Sequence, residues 1–340
     1  MIDRLKILTE KKKKLDSLRP LSEEVLYSLE EWMKVELTYS SNAIEGNALS
    51  RIETAEVIEK GTAAVISGKP LKDQLEAINH AKAIDFIKDL AKQIKGHQFI
   101  TEDYIKTIHQ IILNGIIDDW AGKYRQTLVF IRGTDFEFPQ AQEILRLMSN
   151  FIKWLNSQQE EHPVRVASLA HLKFESVHPF IDGNGRVGRL LMNLILILNG
   201  YPMAIIKNET RNEYLNAFRV GQSTNNWSLL HHLIEEAVER SLDAYINLAE
   251  GKAVLPALLG ESSKPAEDKL LKIGELAKAA KETVPTIRYW TKEGLLKVAK
   301  LSKGGYQLYD SSQIDKAKEV RYLQKEQRLK IAEIKKKLRV

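Results

Sequence analysis

The chain of 340 residues is 44% hydrophobic and 28% charged, a composition typical of soluble globular proteins with more than one domain. It contains no cysteine, which excludes disulfides and thiolate metal sites and favours a reducing compartment. The formal net charge of +6 is unevenly placed, because residues 261–340 hold 20 Lys/Arg against 11 Asp/Glu. This asymmetry predicts that any nucleic-acid contact belongs to the C-terminal region, although a solvated basic surface explains it equally well.

The sequence shows no targeting segment or membrane span. The N-terminal lysine run, Lys11–Lys14, is not followed by the apolar core of a signal peptide. The longest apolar stretch, Leu190–Leu198, contains Asn193 and is too short to cross a bilayer. We therefore expect a cytoplasmic protein without membrane contact.

Helical periodicity dominates the first 250 residues. Near the N-terminus, Ser41 and Glu45 are four residues apart and would share a helix face, and Gly46 would end that helix. Further helices are predicted over 57–66, 75–90, 104–112, 144–155, 166–177 and 229–248. Between them, two short apolar runs flank the polar turn 132–135, which predicts a β-hairpin that Pro139 stops.

The C-terminal region has a different organisation. Residues 251–268 combine Gly, Pro and Ser without periodicity, which predicts a linker. Residues 273–290 then read as helix, turn, helix, with Pro285 in the first turn of the second helix and Gly294 after its end. A two-glycine hairpin at 303–309 and short helices from Ser312 and Leu329 complete a winged helix-turn-helix pattern.

The most informative segment is HPFIDGNGRVGR, residues 178–189, which lies between two helical patterns. Gly183 and Gly185 bracket Asn184 in a loop that can present consecutive backbone N–H groups to an anion. The helix that follows adds the positive end of its dipole.

Charged side chains flank this loop. Arg186 and Arg189 are three residues apart on the helix and can clamp one polyphosphate. Asp182 is a hard oxygen ligand suited to Mg²⁺ bound on substrate phosphates. A neutral His178 can accept a proton from an incoming hydroxyl. Within twelve residues the segment combines a candidate base, a metal ligand, a loop of backbone N–H groups and two arginines that can bind phosphate. This combination is specific, whereas each of these residues alone is commonly found in a purely structural role.

These twelve residues match the Fic signature, His-x-Phe-x-Asp/Glu-Gly-Asn-Gly-Arg-x-x-Arg, at every specified position. The resemblance extends over roughly residues 37–248, including LEAINH at 75–80 and GKYR at 122–125. It implies a mainly α-helical bundle with a β-hairpin flap. It also implies a protein adenylyltransferase that moves AMP from ATP to a Ser, Thr or Tyr hydroxyl of a target protein, or of the chain itself.

The resemblance assigns roles to the signature residues. His178 is implied to be the general base, Asp182 to hold Mg²⁺ and Phe180 to anchor the loop in the core. The remaining signature residues are implied to bind the ATP phosphates, with Arg189 at the γ-phosphate: Gly183, Asn184, Gly185, Arg186 and Arg189. Related Doc-type kinases carry lysine at the position of Gly185, so glycine here favours AMP transfer over phosphorylation.

Two further elements resemble parts of Fic proteins. The first arm of the predicted hairpin looks like the flap that pairs with a target peptide: Leu128, Val129, Phe130 and Ile131. A plain hairpin packed over the core is the alternative. Tyr214 and Gln222 correspond to the adenine side, although a core position explains Tyr214 nearly as well.

The heptad that begins at Ser41 matches the inhibitory motif of the family, Ser/Thr-x-x-x-Glu-Gly/Asn. The resemblance implies that Glu45 pairs with Arg189 and takes the place of the γ-phosphate. An ordinary helix C-cap ending at Gly46 is the alternative.

Residues 271–338 resemble the winged helix-turn-helix of MerR-type regulators through IGELAKAAKETVPTIRYWTKEGLL and GGYQLY. The resemblance implies DNA contacts from the recognition helix and the wing: Thr286, Arg288, Tyr289, Lys303 and Tyr306. Gln307 replaces a common arginine, and no long coiled coil follows, so specific binding would require a homodimer formed through the Fic region. Recruitment of a protein substrate is the alternative role.

The sequence therefore predicts four regions: an N-terminal helical region with the inhibitory helix at 1–95, a Fic core at 96–250, a linker at 251–268 and a MerR-like domain at 269–340. The predicted function is Mg²⁺- and ATP-dependent protein adenylylation that is self-inhibited by Glu45. The rivals are a DNA-binding regulator whose Fic centre senses nucleotide, and a transferase of UMP or phosphocholine.

Overall fold

The computed structural model describes residues 4–64, 66–129, 136–252, 271–301, 306–309, 313–325 and 329–338. The chain divides into two compact units, residues 1–259 and 260–340. Of the predicted linker, 251–268, all but the first two residues lie outside the described part. None of the described helices is long and apolar enough to cross a membrane.

The larger unit is built from α-helices, as predicted. They are α1 (Arg4–Ser17), α2 (Glu23–Ile44), α3 (Arg51–Lys60), α4 (Leu71–Gln93), α5 (Glu102–Leu113), α6 (Ile144–Ser157), α7 (Pro163–Val177), α8 (Asn184–Leu198), α9 (Arg211–Thr224) and α10 (Ser228–Ala249).

Helices α7 and α8 lie at the centre of this unit. The residues 190–196 of α8 are all buried, because α2, α4, α5 and α7 pack around it. Asn193 is tolerated there because its side chain donates to the Ala204 carbonyl at 3.2 Å and accepts from the Ala204 N–H at 2.7 Å. The loop 178–183 joins α7 to α8, so the signature residues are positioned by two buried helices.

Outer helices complete the core. On α1, Leu8 and Leu15 are seven residues apart, and both are fully buried where this helix packs against α10. Burying one leucine contributes about 1.5–3 kcal/mol, so these two positions fasten the N-terminal helix to the bundle.

One predicted helix was misplaced. The prediction over 57–66 was wrong, because the observed α3 begins at Arg51 and ends at Lys60. Ser50 starts it with a capping box, in which its hydroxyl accepts from the Glu53 N–H at 3.2 Å and its own N–H donates to Glu53 Oε2 at 2.7 Å. Gly61, with φ of 59°, ends it. The other five predicted helices fall within observed ones.

The C-terminal unit has the predicted helix-turn-helix. Helix α11 spans Ile273–Ala280 and α12 spans Val284–Lys292. Thr283 caps α12 by accepting from the Thr286 N–H at 3.3 Å, and Pro285 lies in the first turn. Gly294 follows the helix end with φ of 74°.

A small sheet and two further helices pack around this pair. Strand β3 (Gln307–Tyr309) lies between β1 (Leu271–Lys272) and β2 (Lys300–Leu301), and both pairings are antiparallel. The turn 302–305, which includes Lys303, lies outside the described residues. Helices α13 (Gln313–Lys325) and α14 (Ile331–Leu338) begin within two residues of the predicted starts. Trp290 and Tyr309 are the largest side chains of the buried core.

Candidate active site

The loop between α7 and α8 is closed by its own residues. His178 ends α7 in the left-handed conformation, with φ of 49°. Asn184 is buried, accepts from the Phe180 N–H at 2.9 Å and donates to the Phe180 carbonyl at 2.8 Å. The Asn184 side chain therefore shapes the loop, and the backbone N–H groups of the first turn of α8 are what this segment can offer to an anion.

A buried aromatic stack anchors the loop in the core. Phe180 is fully buried, as predicted, and its ring lies 3.6 Å from that of His109 in parallel stacking. His109 Nδ1 accepts from the Gly122 N–H at 2.9 Å, so Nε2 carries the proton and donates to the Asp182 carbonyl at 3.1 Å. Burial lowers the pKa of His109 to about 4, so the ring is neutral at pH 7. His109 lies on α5, far from the signature in sequence, so its part in the site was not predicted.

Arg125 ties the predicted flap to the signature loop. Its side chain is buried and donates to the carbonyls of His178 at 2.8 Å, Thr127 at 2.8 Å and Pro139 at 2.7 Å. The last two residues flank the predicted hairpin, so both of its ends are held beside His178. The acceptors are main-chain atoms, so no pattern of residue types could reveal this role of Arg125.

The flap itself is described only at its ends. Leu128 is 48% exposed and Val129 is half-buried, and neither lies in a helix or strand. Phe130, Ile131 and the predicted turn 132–135 lie outside the described residues. On the far side, the ring of Phe138 lies 4.7 Å from that of His178.

His178 stands at a cavity of about 450 Å³. The wall of this cavity includes Glu175, Arg189 and Tyr214, together with Glu45. His178 Nδ1 lies 3.6 Å from Glu175 Oε2, and each side chain is 13% exposed. Burial alone would raise the pKa of Glu175, but the contact with His178 and the nearby positive charge of Arg189 hold it below its ordinary value.

The structure brings Ser41 and Glu45 together with Arg189. The buried guanidinium donates from Nε to the Ser41 hydroxyl at 2.9 Å, and from Nη2 to the Ser41 carbonyl at 2.9 Å and to Glu45 Oε1 at 2.7 Å. Burial opposes the charge of Arg189, but the Glu45 carboxylate outweighs it and raises the pKa of Arg189 above its ordinary value. Gly46, with φ of 98°, turns the chain directly after Glu45.

Gly185 leaves the space that the Glu45 carboxylate occupies. A Cβ at position 185 would lie 2.2 Å from Glu45 Oε1 and 3.1 Å from Arg189 Nη1. Any side chain there would displace the carboxylate, since the clash involves the end of a flexible side chain rather than main-chain atoms.

The two signature arginines have different partners. Arg186 is 2% exposed, with Nη1 3.0 Å from Glu76 Oε1 on α4 and Nη2 3.5 Å from Asp182 Oδ1. The Arg186 side chain is thus buried against α4, and the expectation that it clamps a polyphosphate together with Arg189 stays a prediction. Glu76 also accepts from Asn47 Nδ2 at 2.9 Å, which links this pair to the turn that follows α2.

Asp182 is the residue that would hold Mg²⁺. Its side chain is 40% exposed, and Oδ1 accepts from the Gly183 N–H at 2.6 Å. Within the described part of the chain no three His, Asp or Glu side chains converge as a closed metal site. One accessible carboxylate fits Mg²⁺, which keeps several waters and takes its other ligands from substrate phosphates.

The two residues predicted to lie on the adenine side, Tyr214 and Gln222, both line the cavity. The Tyr214 hydroxyl lies 2.6 Å from His171 Nε2 and accepts from Arg189 Nη1 at 3.5 Å. The Tyr214 hydroxyl is thus used to fix Arg189. Arg211, on α9 like Tyr214, donates to the Ile44 carbonyl at 2.6 Å, a contact with the end of α2 that was not predicted.

In the C-terminal unit, three of the predicted DNA contacts are accessible. Arg288 and Tyr289 are exposed on α12, and Tyr306 is exposed next to β3. Thr286 is half-buried and shares a hydrogen bond of 2.8 Å with the Thr283 hydroxyl. Lys303 lies outside the described residues. Gln307 accepts from the Tyr309 hydroxyl at 2.8 Å, so the residue that replaces the usual arginine is bonded within the sheet.

Known proteins match both units. The model of the Fic/DOC family matches residues 99–196, and that of the MerR HTH family regulatory proteins matches residues 271–340. The protein adenylyltransferase Fic of Culex quinquefasciatus is 33% identical over 245 residues, which are 72% of this chain and 47% of that protein. The chain spans about half the length of the curated relatives it matches.

The solved structures that resemble this chain include further Fic proteins. A Fic domain containing signalling protein from Bacteroides thetaiotaomicron has a TM-score of 0.65 at 28% identity, over 74% of this chain and 100% of that chain. Fic-1 from C. elegans has a TM-score of 0.65 at 29% identity, over 74% of each chain.

The helical bundle and its signature loop define a Fic-fold protein that is joined to a helix-turn-helix unit. The chain therefore contains a Fic domain of the Fic/DOC family, and its C-terminal region is of the MerR type. The predicted fold class is thereby confirmed.

Proposed function

We propose that this protein is an adenylyltransferase that transfers AMP from ATP to a Ser, Thr or Tyr hydroxyl of a protein. The observation that carries the proposal is the cavity between His178 and Arg189, which combines a candidate base with a buried cation at a helix N-terminus. The names of the curated relatives support the same activity.

In this mechanism the hydroxyl approaches the α-phosphate beside His178. Nε2 accepts the hydroxyl proton while the oxygen–phosphorus bond forms and pyrophosphate leaves. The N–H groups at the start of α8, with Gly183 and Gly185 allowing close approach, stabilise the charge that develops on the phosphate oxygens. The phosphate roles assigned to Asn184 and Arg186 remain predictions, and their buried side-chain bonds favour a structural part for both side chains.

Mg²⁺ would be bound by Asp182, where it neutralises phosphate charge. Because Oδ1 already accepts from Gly183, Asp182 is fixed relative to the loop. The base of the nucleotide would lie against the wall that contains Gln222 and Tyr214, and the flap ends held by Arg125 would place the target beside His178.

Glu45 would restrain this activity. Together with Ser41 it occupies the donor groups of Arg189 that a γ-phosphate would use. The contacts from Arg189 and Arg211 to main-chain carbonyls of Ser41 and Ile44 hold the end of α2 in this position. A competent site would form when this helix end moves away.

Labelled nucleotides test the proposed reaction. Purified chain carrying Glu45→Gly is incubated with Mg²⁺ and either α-³²P-ATP or γ-³²P-ATP, with and without cell lysate as a source of targets. We expect label on protein from the α-position and none from the γ-position. Label from γ-³²P-ATP would identify a kinase, and label only from UTP or CDP-choline would identify another donor.

We further propose that the C-terminal unit binds DNA. The exposed Arg288, Tyr289 and Tyr306 supply phosphate-contacting groups at a helix-turn-helix with a basic composition. A domain that recruits a protein substrate could have the same fold, but its binding would not depend on contacts between cationic side chains and phosphates.

DNA binding is expected to weaken steeply as salt rises from 50 to 200 mM, because phosphate contacts release counterions. Arg288→Ala should weaken binding to a random-sequence duplex and lower the slope of log K against log salt by about 1. Lys92→Ala, which removes an exposed charge from the other unit, should change neither the affinity nor the slope. Fluorescence anisotropy measures the affinity and its dependence on salt. Binding that does not depend on salt would contradict the proposal.

A further inference from the structure

The mechanism above leaves one buried carboxylate of the cavity wall unused. Glu175 lies on the same stripe of α7 as His171 and His178, at spacings of four and three residues. Its carboxylate therefore stands between two imidazole rings, one inside the core and one at the mouth of the cavity.

The local geometry directs this carboxylate to His178. Glu175 Oε2 lies 3.6 Å from His178 Nδ1, slightly beyond hydrogen-bond range, so a small rotation of the imidazole closes the contact. Within the described residues His178 Nδ1 and Glu175 Oε1 are buried without a hydrogen-bond partner. Buried polar atoms are rarely left unpaired, so a contact between these two side chains is favoured.

Gly188 of α8 provides the space for the carboxylate. A Cβ at position 188 would lie 2.5 Å from Glu175 Oε1 and 2.7 Å from His171 Nδ1. The close approach of α7 and α8 therefore depends on a glycine opposite Glu175, which ties this side chain to the shape of the signature helix.

The surrounding charges keep Glu175 ionised. Arg189 on α8 is a nearby cation, and its guanidinium also donates a hydrogen bond to the Glu45 carboxylate at the end of α2. Burial lowers the pKa of His171 to about 4, so that ring is neutral, and burial raises the pKa of Tyr214 on α9, so its hydroxyl is also neutral. Among the described residues, the groups near Glu175 and His178 at pH 7 are the Arg189 guanidinium, the neutral His171 and Tyr214, and the Glu45 carboxylate, and the cationic Arg211 and Arg219 also line the cavity.

We propose that Glu175 is a positioning residue for the candidate base, holding the Nδ1–H of His178 so that Nε2 faces the attacking hydroxyl. When Nε2 takes the hydroxyl proton, the carboxylate stabilises the imidazolium that forms. Glu175 itself neither gains nor loses a proton. The catalytic part of this inference rests on the proposed adenylyltransferase activity, whereas the tautomer of His178 does not.

Nitrogen NMR tests the tautomer without any activity. In full-length chain with ¹⁵N-labelled histidine, the His178 signals are assigned by their loss in His178→Ala. We expect Nδ1 to carry the proton in wild type, and Glu175→Ala to move the ring toward the Nε2–H form or a mixture. Identical His178 signals in wild type and Glu175→Ala would overturn the proposal, whether or not the chain is an adenylyltransferase.

Kinetics test the consequence in the Glu45→Gly background, with automodification from α-³²P-ATP as the readout. Glu175→Ala is expected to lower kcat about 10–100-fold, part of what a general base contributes. The KM for ATP should change less than about two-fold, because no ground-state phosphate contact is removed.

The isosteric Glu175→Gln separates charge from packing. It keeps an acceptor for Nδ1–H but removes the negative charge, so kcat should fall less than in Glu175→Ala, and the acidic limb of the pH profile should move about 0.5–1 unit lower. Glu213→Gln, the same change at an exposed site on α9, should match the parent. A Glu175→Gln variant with the parent's kcat and pH profile would reduce Glu175 to a packing role and overturn the proposal.

Discussion

Replacing Glu45 with glycine is expected to raise the rate of AMP transfer about 10–100-fold. The hydrogen bond from the buried Arg189 to the Glu45 carboxylate is charge-assisted, and such bonds contribute about 1.5–3 kcal/mol. Because each 1.4 kcal/mol is a factor of ten in population, its loss should shift most molecules to a state in which Arg189 is free for phosphate. The measurement is the initial rate of protein labelling by α-³²P-ATP.

The control for this prediction is Glu31→Ala, which removes an exposed carboxylate from α2, the helix that ends directly before Glu45. It should label at the wild-type rate. Equal labelling by wild type and Glu45→Gly would show that the Glu45–Arg189 pair does not limit activity, and the pair would then be a structural C-cap contact.

Replacing His178 with alanine in the Glu45→Gly chain is expected to lower the rate about 10²–10⁴-fold, because the hydroxyl then lacks a proton acceptor. ATP affinity should be retained, since the contacts assigned to the phosphates come from α8. Labelling and equilibrium ATP binding are measured on the same preparations.

For this prediction the matched control is His232→Ala, which removes an imidazole that is 57% exposed on α10. It should leave both quantities unchanged. If the His178→Ala chain labelled as fast as its parent, His178 would not be the base, and a nucleotide-sensing role for the Fic centre would gain support.

The signature could be read from the sequence because its groups are consecutive. Residues 178–189 form one loop and one helix start, so the order of residues nearly fixes their arrangement around an anion. The same holds for Ser41 and Glu45, which sit at helical spacing ahead of a glycine with positive φ.

Contacts between side chains that are distant in the sequence could not be predicted from it. The spacing of Arg186 and Arg189 predicted one shared ligand, yet Arg186 pairs with Glu76, more than 100 positions earlier, and Arg189 pairs with the end of α2. Arg125 was equally hidden, because its bonds go to main-chain carbonyls, which every residue has.

The misplaced α3 was a different kind of error. Its start was encoded locally in Ser50-Arg-Ile-Glu53, a capping box that the apolar periodicity did not reveal. Periodicity placed the helix over 57–66, where Gly61 and a 3₁₀ turn in fact end it. At α3, cap chemistry is therefore the better guide to the start and the end of the helix.

The missing side chain at position 185 also limits how this protein can evolve. Every missense mutation of Gly185 adds an atom where the Glu45 carboxylate now lies. Under the proposed role of Glu45, a change selected to alter the donor nucleotide at this position would simultaneously remove the restraint on AMP transfer. We therefore expect that a lineage that replaces Gly185 must acquire a second change near Glu45 or tolerate unregulated labelling of cellular proteins.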